Sequence, residues 1–368
     1  MIDRKFTQNI DWPLLLMVFL LIAIGVVNLY SATFQAEEGK GSPIYLKQIY
    51  WAGCGFLFLV IILFFDYHLL LPVAYPLYWI SLILLIAVLL FGRPISGSQR
   101  WLTLASFSFQ PSELVKISLI LALAKYFFEN DFDRRYTFRD LYIPLGMVLL
   151  PALLIMRQPD LGTALLLLLL SISIFLFLGI DWKTLFISIG SLVLSLPLVW
   201  FVLKDYQKKR LFTFIQPESD PLGAGYHIIQ SKIAVGSGAF WGKGFLKGTQ
   251  GQLRFLPEQH TDFAFSVLSE EWGFIGSLVV VTLFLLLILT ALNIARQSKD
   301  RFGLVLALGI GALFFWQSLV NMGMVVGLVP VVGVPLPFIS YGGSSIIASL
   351  IGVGLLLNIQ MRRFIIQS

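Results

Sequence analysis

Charge is what this sequence lacks most. Only 12% of its 368 residues are Asp, Glu, Lys or Arg, 58% are hydrophobic, and the mean hydropathy is +0.86. An average soluble domain carries about 25% charged residues, so the chain reads as a polytopic membrane protein. Cysteine is nearly absent too. Cys54 stands alone inside an apolar run, which excludes an internal disulfide. No Cys-x-x-Cys and no His-Glu-x-x-His occurs, and His68, His227 and His260 are scattered, which argues against a structural zinc site or a zincin. No basic stripe alternates with aromatics, so nucleic acid is not an expected partner.

What is there is apolar helix. A span needs about 20 mostly apolar residues, and ten segments qualify, at 12–31, 49–65, 69–91, 113–128, 141–156, 161–180, 183–203, 263–293, 303–329 and 342–361. The expected fold class is all-α, a membrane protein of about ten transmembrane helices forming one domain over 1–368. The first segment is too long for a cleaved leader and lacks a small-residue cleavage site, so it reads as a retained span. Ten spans put both ends on one side. That side carries twelve basic residues, among them Arg134, Arg135, Arg296 and Arg362, against five in the short loops opposite. By the positive-inside rule both termini are cytoplasmic. Residues 204–262, between the seventh and eighth spans, then form one long extracytoplasmic loop.

Polar residues collect at a few places. Residues 93–111 hold Arg100, Trp101 and several Phe, and suit an interfacial segment lying flat at the headgroups. Pro111-Ser-Glu113 reads as a helix start. Lys116 follows Glu113 by three, so the two share a helix face. They are either a structural ion pair or a phosphate-contacting lysine held by its carboxylate. Asp160, after Pro159, caps the next helix on the plainer reading, without excluding a site role. Residues 204–262 hold eight basic residues, five acidic ones and eight Gly. A loop that long is usually functional, and 223–234 could form a short amphipathic helix. It matches no nucleotide-binding Gly pattern, but Gly with Lys can wrap phosphate oxygens. It ends in Phe255-Leu-Pro-Glu-Gln-His-Thr-Asp262, at the mouth of an apolar run. Partial desolvation there would raise the pKa of Asp262 toward that of a useful base; a helix cap is the alternative. Glu270 and Glu271 fall about two turns further, at membrane depth, with no nameable partners. Residues 329–345 hold three Pro and two adjacent Gly. Such irregular backbone at membrane depth must be buried or line a cavity.

Sidedness ties these features together. Glu113, Lys116, Arg157, Asp160, Arg210, Lys232, Lys243 and Asp262 are all expected at the outer face or its boundary. That mix suits a substrate with a diphosphate among the headgroups and a polar group beyond it.

The chain resembles the SEDS family (shape, elongation, division and sporulation) along nearly its full length. The motifs that carry the resemblance are Gly97-Ser-Gln-Arg-Trp-Leu102, Phe109-Gln-Pro-Ser-Glu-Leu-Val-Lys116, Gln158-Pro-Asp-Leu-Gly-Thr-Ala164, Gly225-Tyr-His-Ile-Ile-Gln-Ser231, Phe255-Leu-Pro-Glu-Gln-His-Thr-Asp-Phe263 and Pro337-Phe-Ile-Ser-Tyr-Gly-Gly-Ser344. Gly248-Thr-Gln250 and the short tails look more like the rod-shape branch than the division branch. Where many members read Gly-Ser-Gly-Gly, this chain has Gly236-Ser-Gly-Ala239, so position 239 is not expected to demand a positive φ. The resemblance implies a peptidoglycan glycosyltransferase of the bacterial cytoplasmic membrane that polymerises lipid II, with a class B penicillin-binding protein as partner. It puts the family's essential aspartate on Asp262 as catalytic base. Glu113, Lys116, Asp160 and Arg210 fall on family positions, and Lys232, Lys243, His260, Thr261 and Arg100 complete the expected substrate-binding set. A divalent cation, Mg or Mn, could assist, with its ligands unknown. A lipid II flippase or a non-catalytic scaffold for the transpeptidase are the competing readings.

Overall fold

A computed structural model describes residues 10–34, 43–95, 98–104, 107–131, 134–187, 190–191, 194, 201, 205–219, 224–253, 255–256 and 258–363. The helices are α1 (Trp12–Thr33), α2 (Ile44–Phe64), α3 (Leu70–Phe91), α4 (Pro111–Glu129), α5 (Phe138–Arg157), α6 (Leu161–Leu178), α7 (Asp205–Ile215), α8 (Ala224–Ser237), α9 (Thr249–Gln252), α10 (Ala264–Gln297), α11 (Arg301–Val326) and α12 (Gly343–Arg362). Eight described helices are long and apolar enough to cross a bilayer, and α4 occupies the fourth expected position. The expected seventh span, 183–203, lies mostly outside the described residues.

The charged helix is the central one. α4 packs against α3, α5, α11 and α12, and nearly every residue from Pro111 to Phe127 is buried. Its low hydropathy is no paradox, because protein rather than lipid surrounds it. Consecutive α2 and α3 scarcely touch; α2 packs instead on α12, and α3 on α4.

Residues 93–109, expected at the interface, have a secondary structure that was not anticipated. They form three short antiparallel strands, β1 (Arg93–Ile95), β2 (Ser98–Leu104) and β3 (Phe107–Phe109), with Arg93 opposite Trp101 and Leu102 opposite Phe109. Aromatic and β-branched residues favour pleated pairing once turns are available. The described residues of 204–262 contain three α-helices of their own, α7, α8 and the one-turn α9. α8 falls where a short helix was expected; α7 was not foreseen.

α10 is broken at Gly273, whose φ of 64° and ψ of −157° belong to a region almost restricted to glycine. The turn Ala239–Gly244 closes the break. Lys243 N donates to Glu270 O at 3.0 Å, and Gly244 N to Glu271 O at 3.0 Å. Phe274 N donates in turn to Ala239 O at 2.9 Å, and Ile275 N to Phe240 O at 3.3 Å. These bonds replace those the helix loses at its kink. Ala239 sits at φ +46°, contrary to the expectation for that position. Its carbonyl is committed to Phe274, and the bond holds it in a conformation that costs an alanine roughly 1–2 kcal/mol.

The break also moves Glu270 and Glu271. The 24 residues from Phe274 to Gln297 extend about 36 Å and can cross the bilayer alone. Residues 264–272 are surplus helix that packs with α8 and α9. Glu270 accepts from Lys243 Nζ at 2.7 Å, Thr249 N at 2.8 Å and Thr249 Oγ1 at 3.0 Å, and Glu271 accepts from the Ser31 hydroxyl. These acids therefore have partners supplied by the outer segment and α1, where the sequence alone named none.

Candidate active site

Asp262 and Lys116 of the fourth helix share one hollow. A cavity of about 480 Å³ is bounded by Arg100 and Trp101 of β2, Glu113 and Lys116 of α4, Arg210 of α7, and Asp262. Thr163 of α6, Glu258, Thr261, Tyr341 and the loop at Val331–Pro335 complete its wall. Beside it an apolar groove of about 590 Å³ runs between α2, α3, α4 and α12, and Glu113 lines both. The separation of α2 from α3 leaves this groove open.

The charged groups differ in how they are held. Lys116 Nζ lies 2.8 Å from Glu113 Oε1, with both side chains almost fully buried. The pair is closed, as the i,i+3 spacing predicts. Asp160 caps a helix, as the plainer reading expected, and it also pairs with a cavity residue. It caps α6, accepting from Thr163 N at 3.2 Å and Thr163 Oγ1 at 2.9 Å, and it faces Arg100 Nε at 3.6 Å. Arg100 Nη2 also donates to Pro159 O at 2.6 Å, so β2 is tied to the α5–α6 turn.

Asp262 is different. It does not cap α10; the N-cap is Phe263, without a side-chain bond. Among the described residues its carboxylate has no hydrogen bond and no ion pair within 4 Å. Its backbone, by contrast, is gripped. Tyr341 N donates to His260 O at 2.8 Å, Ser340 Oγ to Thr261 O at 2.6 Å, and Asn321 Nδ2 to Asp262 O at 3.0 Å. Gly333, at φ +70°, approaches the carboxylate so closely that a Cβ there would lie 3.2 Å from Asp262 Oδ2. Burial pushes the Asp262 carboxyl up to about 6; Glu258 and Asp160 add to the rise, while Arg100 and Arg210 oppose it.

The remaining expected residues divide. Thr261, Arg210 and Arg100 line the cavity. His260 stands beside it with its ring centroid 6.2 Å from that of Tyr341, and burial lowers its pKa. Lys243 is engaged with Glu270 and Thr249 at the helix break and does not line the cavity. Lys232 projects from α8 against Gly327, also outside it. Lys243 is claimed by Glu270 at the helix break, and Lys232 packs against the end of α11. Sequence reasoning missed Glu258, Tyr341, Ser340 and Asn321. The first three lie inside motifs already noted, but nothing in their composition shows that one loop would grip the other.

A multi-pass membrane bundle with an acid–cation pocket at one end is the class these features define. The chain belongs to the FtsW/RodA/SpoVE family, described as cell cycle protein, which it matches over residues 11–364. It is 40% identical over 356 residues to the peptidoglycan glycosyltransferase MrdB of Escherichia coli K12, covering 96% of this chain and 94% of that one. It is 42% identical over 357 residues to the probable peptidoglycan glycosyltransferase FtsW of Trichlorobacter lovleyi, covering 95% and 92%. Its fold resembles a chain of a peptidoglycan synthase complex, solved for the coordination of polymerization and crosslinking. There the TM-score is 0.83 at 34% identity, over 96% of this chain and 98% of that one.

Proposed function

We propose that this protein is a peptidoglycan glycosyltransferase that polymerises lipid II into β-1,4 glycan strands at the outer face of the bacterial cytoplasmic membrane, in cell elongation and shape maintenance. The observation that carries the mechanism is the unpaired carboxylate of Asp262 in a cavity walled by Lys116, Arg100 and Arg210. A base must be free to accept a proton and poised near the working pH, and burial of Asp262 supplies that. The acceptor 4-hydroxyl gives its proton to Asp262 as its oxygen attacks the donor's anomeric carbon. The bond from that carbon to the phosphate oxygen breaks, and the diphosphate leaves with the electron pair. One displacement inverts α to β. Arg210 and Lys116 stabilise the leaving charge, Glu113 orients Lys116, and Asp160 orients Arg100. The apolar groove that meets the cavity at Glu113 takes the polyprenyl chain.

Among the described residues no three acidic, His or Cys side chains gather to hold a metal. Glu113 and Asp160 are engaged by protein partners, so the donor set does not suit a resident ion. A Mg or Mn ion would instead arrive on the diphosphate, which needs one or two carboxylates at most; Glu258 beside Asp262 could supply one. The partner is a class B penicillin-binding protein that crosslinks the product.

Purified protein given lipid II, with and without that partner and with and without EDTA, tests the reading. Glycan chains should form, and Asp262→Asn should abolish them while the protein still inserts and binds its partner. Full polymer yield from that variant ends the assignment. Transport of lipid II without polymer points to a flippase, and neither outcome to a scaffold.

A further inference from the structure

Among the described residues nothing grips the Asp262 side chain, while three donors in succession grip the backbone that bears it. One of those donors comes from inside the bundle. Asn321, on α11, is fully buried. Its Nδ2 donates to Asp262 O at 3.0 Å and to Val334 O at 2.7 Å. One amide thereby joins the loop that bears Asp262 to the loop that bears Gly333, the residue that crowds the Asp262 carboxylate from behind. Ser340 supports the same arrangement. It accepts from Leu336 N at 2.9 Å and donates to Thr261 O at 2.6 Å. Gln48 of α2 holds Ser340 O at 3.1 Å and receives Gly342 N at 3.3 Å.

A buried Asn amide in a membrane helix has few purposes. It could glue helices together, but Asn321 bonds no helix side chain. It bonds two loop carbonyls, and both loops end at the same carboxylate. We propose that Asn321 is a positioning residue for the transfer reaction, setting the direction in which the Asp262 carboxylate faces by locking the Asp262 and Val334 carbonyls together. The inference rests on reading Asp262 as the base. A base misplaced by about 1 Å loses roughly 100-fold in rate. A displaced Asp262 would also meet a changed field, since Glu258, Thr261, Arg100, Asp160, Arg210, Lys116, Glu113 and Tyr341 surround it unevenly.

Steady-state polymerisation by full-length Asn321→Ala, Asn321→Asp and Ser340→Ala proteins in detergent or vesicles tests the proposal. Asn28→Ala serves as the matched control. Asn28 is equally buried and donates to Ala264 O at 2.8 Å, two residues beyond Asp262, without touching the 333 loop. Asn321→Ala is expected to lower kcat about 100-fold with KM for lipid II unchanged within about twofold, and to displace the acid limb of the pH–rate profile. Ser340→Ala should do the same more weakly. Asn321→Asp, which offers no N–H to the two carbonyls when ionised, should be no better than Asn321→Ala. Asn28→Ala should lower thermal stability and leave the acid limb in place. Equal loss of stability in Asn321→Ala and Asn28→Ala, with kcat per folded molecule and the pH profile unmoved in both, overturns the proposal. An active Asp262→Asn protein would overturn the prior reading instead, so the two failures are distinguishable.

Discussion

Two aspartates at opposite ends of the bundle show what burial does with and without partners. Asp66, between α2 and α3, belongs to a closed cluster. His68 Nδ1 lies 2.7 Å from it and Arg362 Nη1 3.2 Å, while His68 Nε2 faces Asp300 at 3.2 Å. Asp300 also receives the Tyr67 hydroxyl and caps α11. Burial alone would raise the Asp66 pKa, but the His68 hydrogen bonds and the Arg362 charge bring it below the usual value. Asp262, at the cavity, has cations nearby but none bonded, and burial wins. The Asp66 cluster fastens the α2–α3 turn, the α10–α11 turn and the end of α12. The Asp262 carboxylate, among the described residues, fastens no other side chain.

The sharpest test of this contrast is Asp262→Asn. Loss of the base should cut glycan synthesis by about 1,000-fold, within the range for general-base removal. Its stability should move the other way. The folded pKa of about 6 exceeds the unfolded value of 3.8, so protonated Asp262 favours folding at acid pH and that gain is lost as pH rises through about 6. Asp262→Asn should therefore be more stable than wild type at pH 7.5, by roughly 3 kcal/mol, and show little gain at pH 3.5. Asp66→Asn should behave oppositely, losing stability at neutral pH and converging with wild type as acid protonates Asp66. For the same reason wild-type activity should fall on the acid side of about pH 6.

Next in size is the closed pair on α4. Lys116→Ala leaves Glu113 buried and unpaired and should cost about 3–5 kcal/mol of stability. Lys116→Met with Glu113→Gln should recover most of that stability without recovering transfer. Recovery of transfer as well would reduce the pair to a structural one. A smaller effect is expected from Gly333→Ala. The positive φ costs about 1–2 kcal/mol, and the new methyl meets Asp262 Oδ2, so kcat should fall more than stability predicts. Smallest is His68→Ala at the inner end, which should cost about 1 kcal/mol or less at this part-exposed site and leave kcat per folded molecule unchanged. A tenfold fall in kcat there would mean that the two ends are coupled.

Apolar runs marked most described spans to within a few residues, because a span's length answers to bilayer thickness; the run at 263–293 also took in residues 264–272, which the break at Gly273 sets apart. The i,i+3 pair of α4 and the cap at Asp160 were likewise legible, since both are local geometry. Residues whose fate depends on distant chain were not. Glu270 reads as an acid at membrane depth until Gly273 is seen to break α10 and the Ala239–Gly244 turn to enter the break. Lys243 reads as a free cation until Glu270 claims it.

The sequence alone indicated a membrane bundle, a grouping of acids and cations that includes Lys116 and Asp262, and the place of Asp262 at the start of a long apolar run. Tertiary structure alone decided which of those charges are quenched and which is left free. Pairing depends on contacts between residues as far apart as Asn28 and Ala264, or Arg100 and Asp160, and no local pattern records which donor will reach which acceptor. The backbone around Asp262 found partners across the fold, while among the described residues its carboxylate did not.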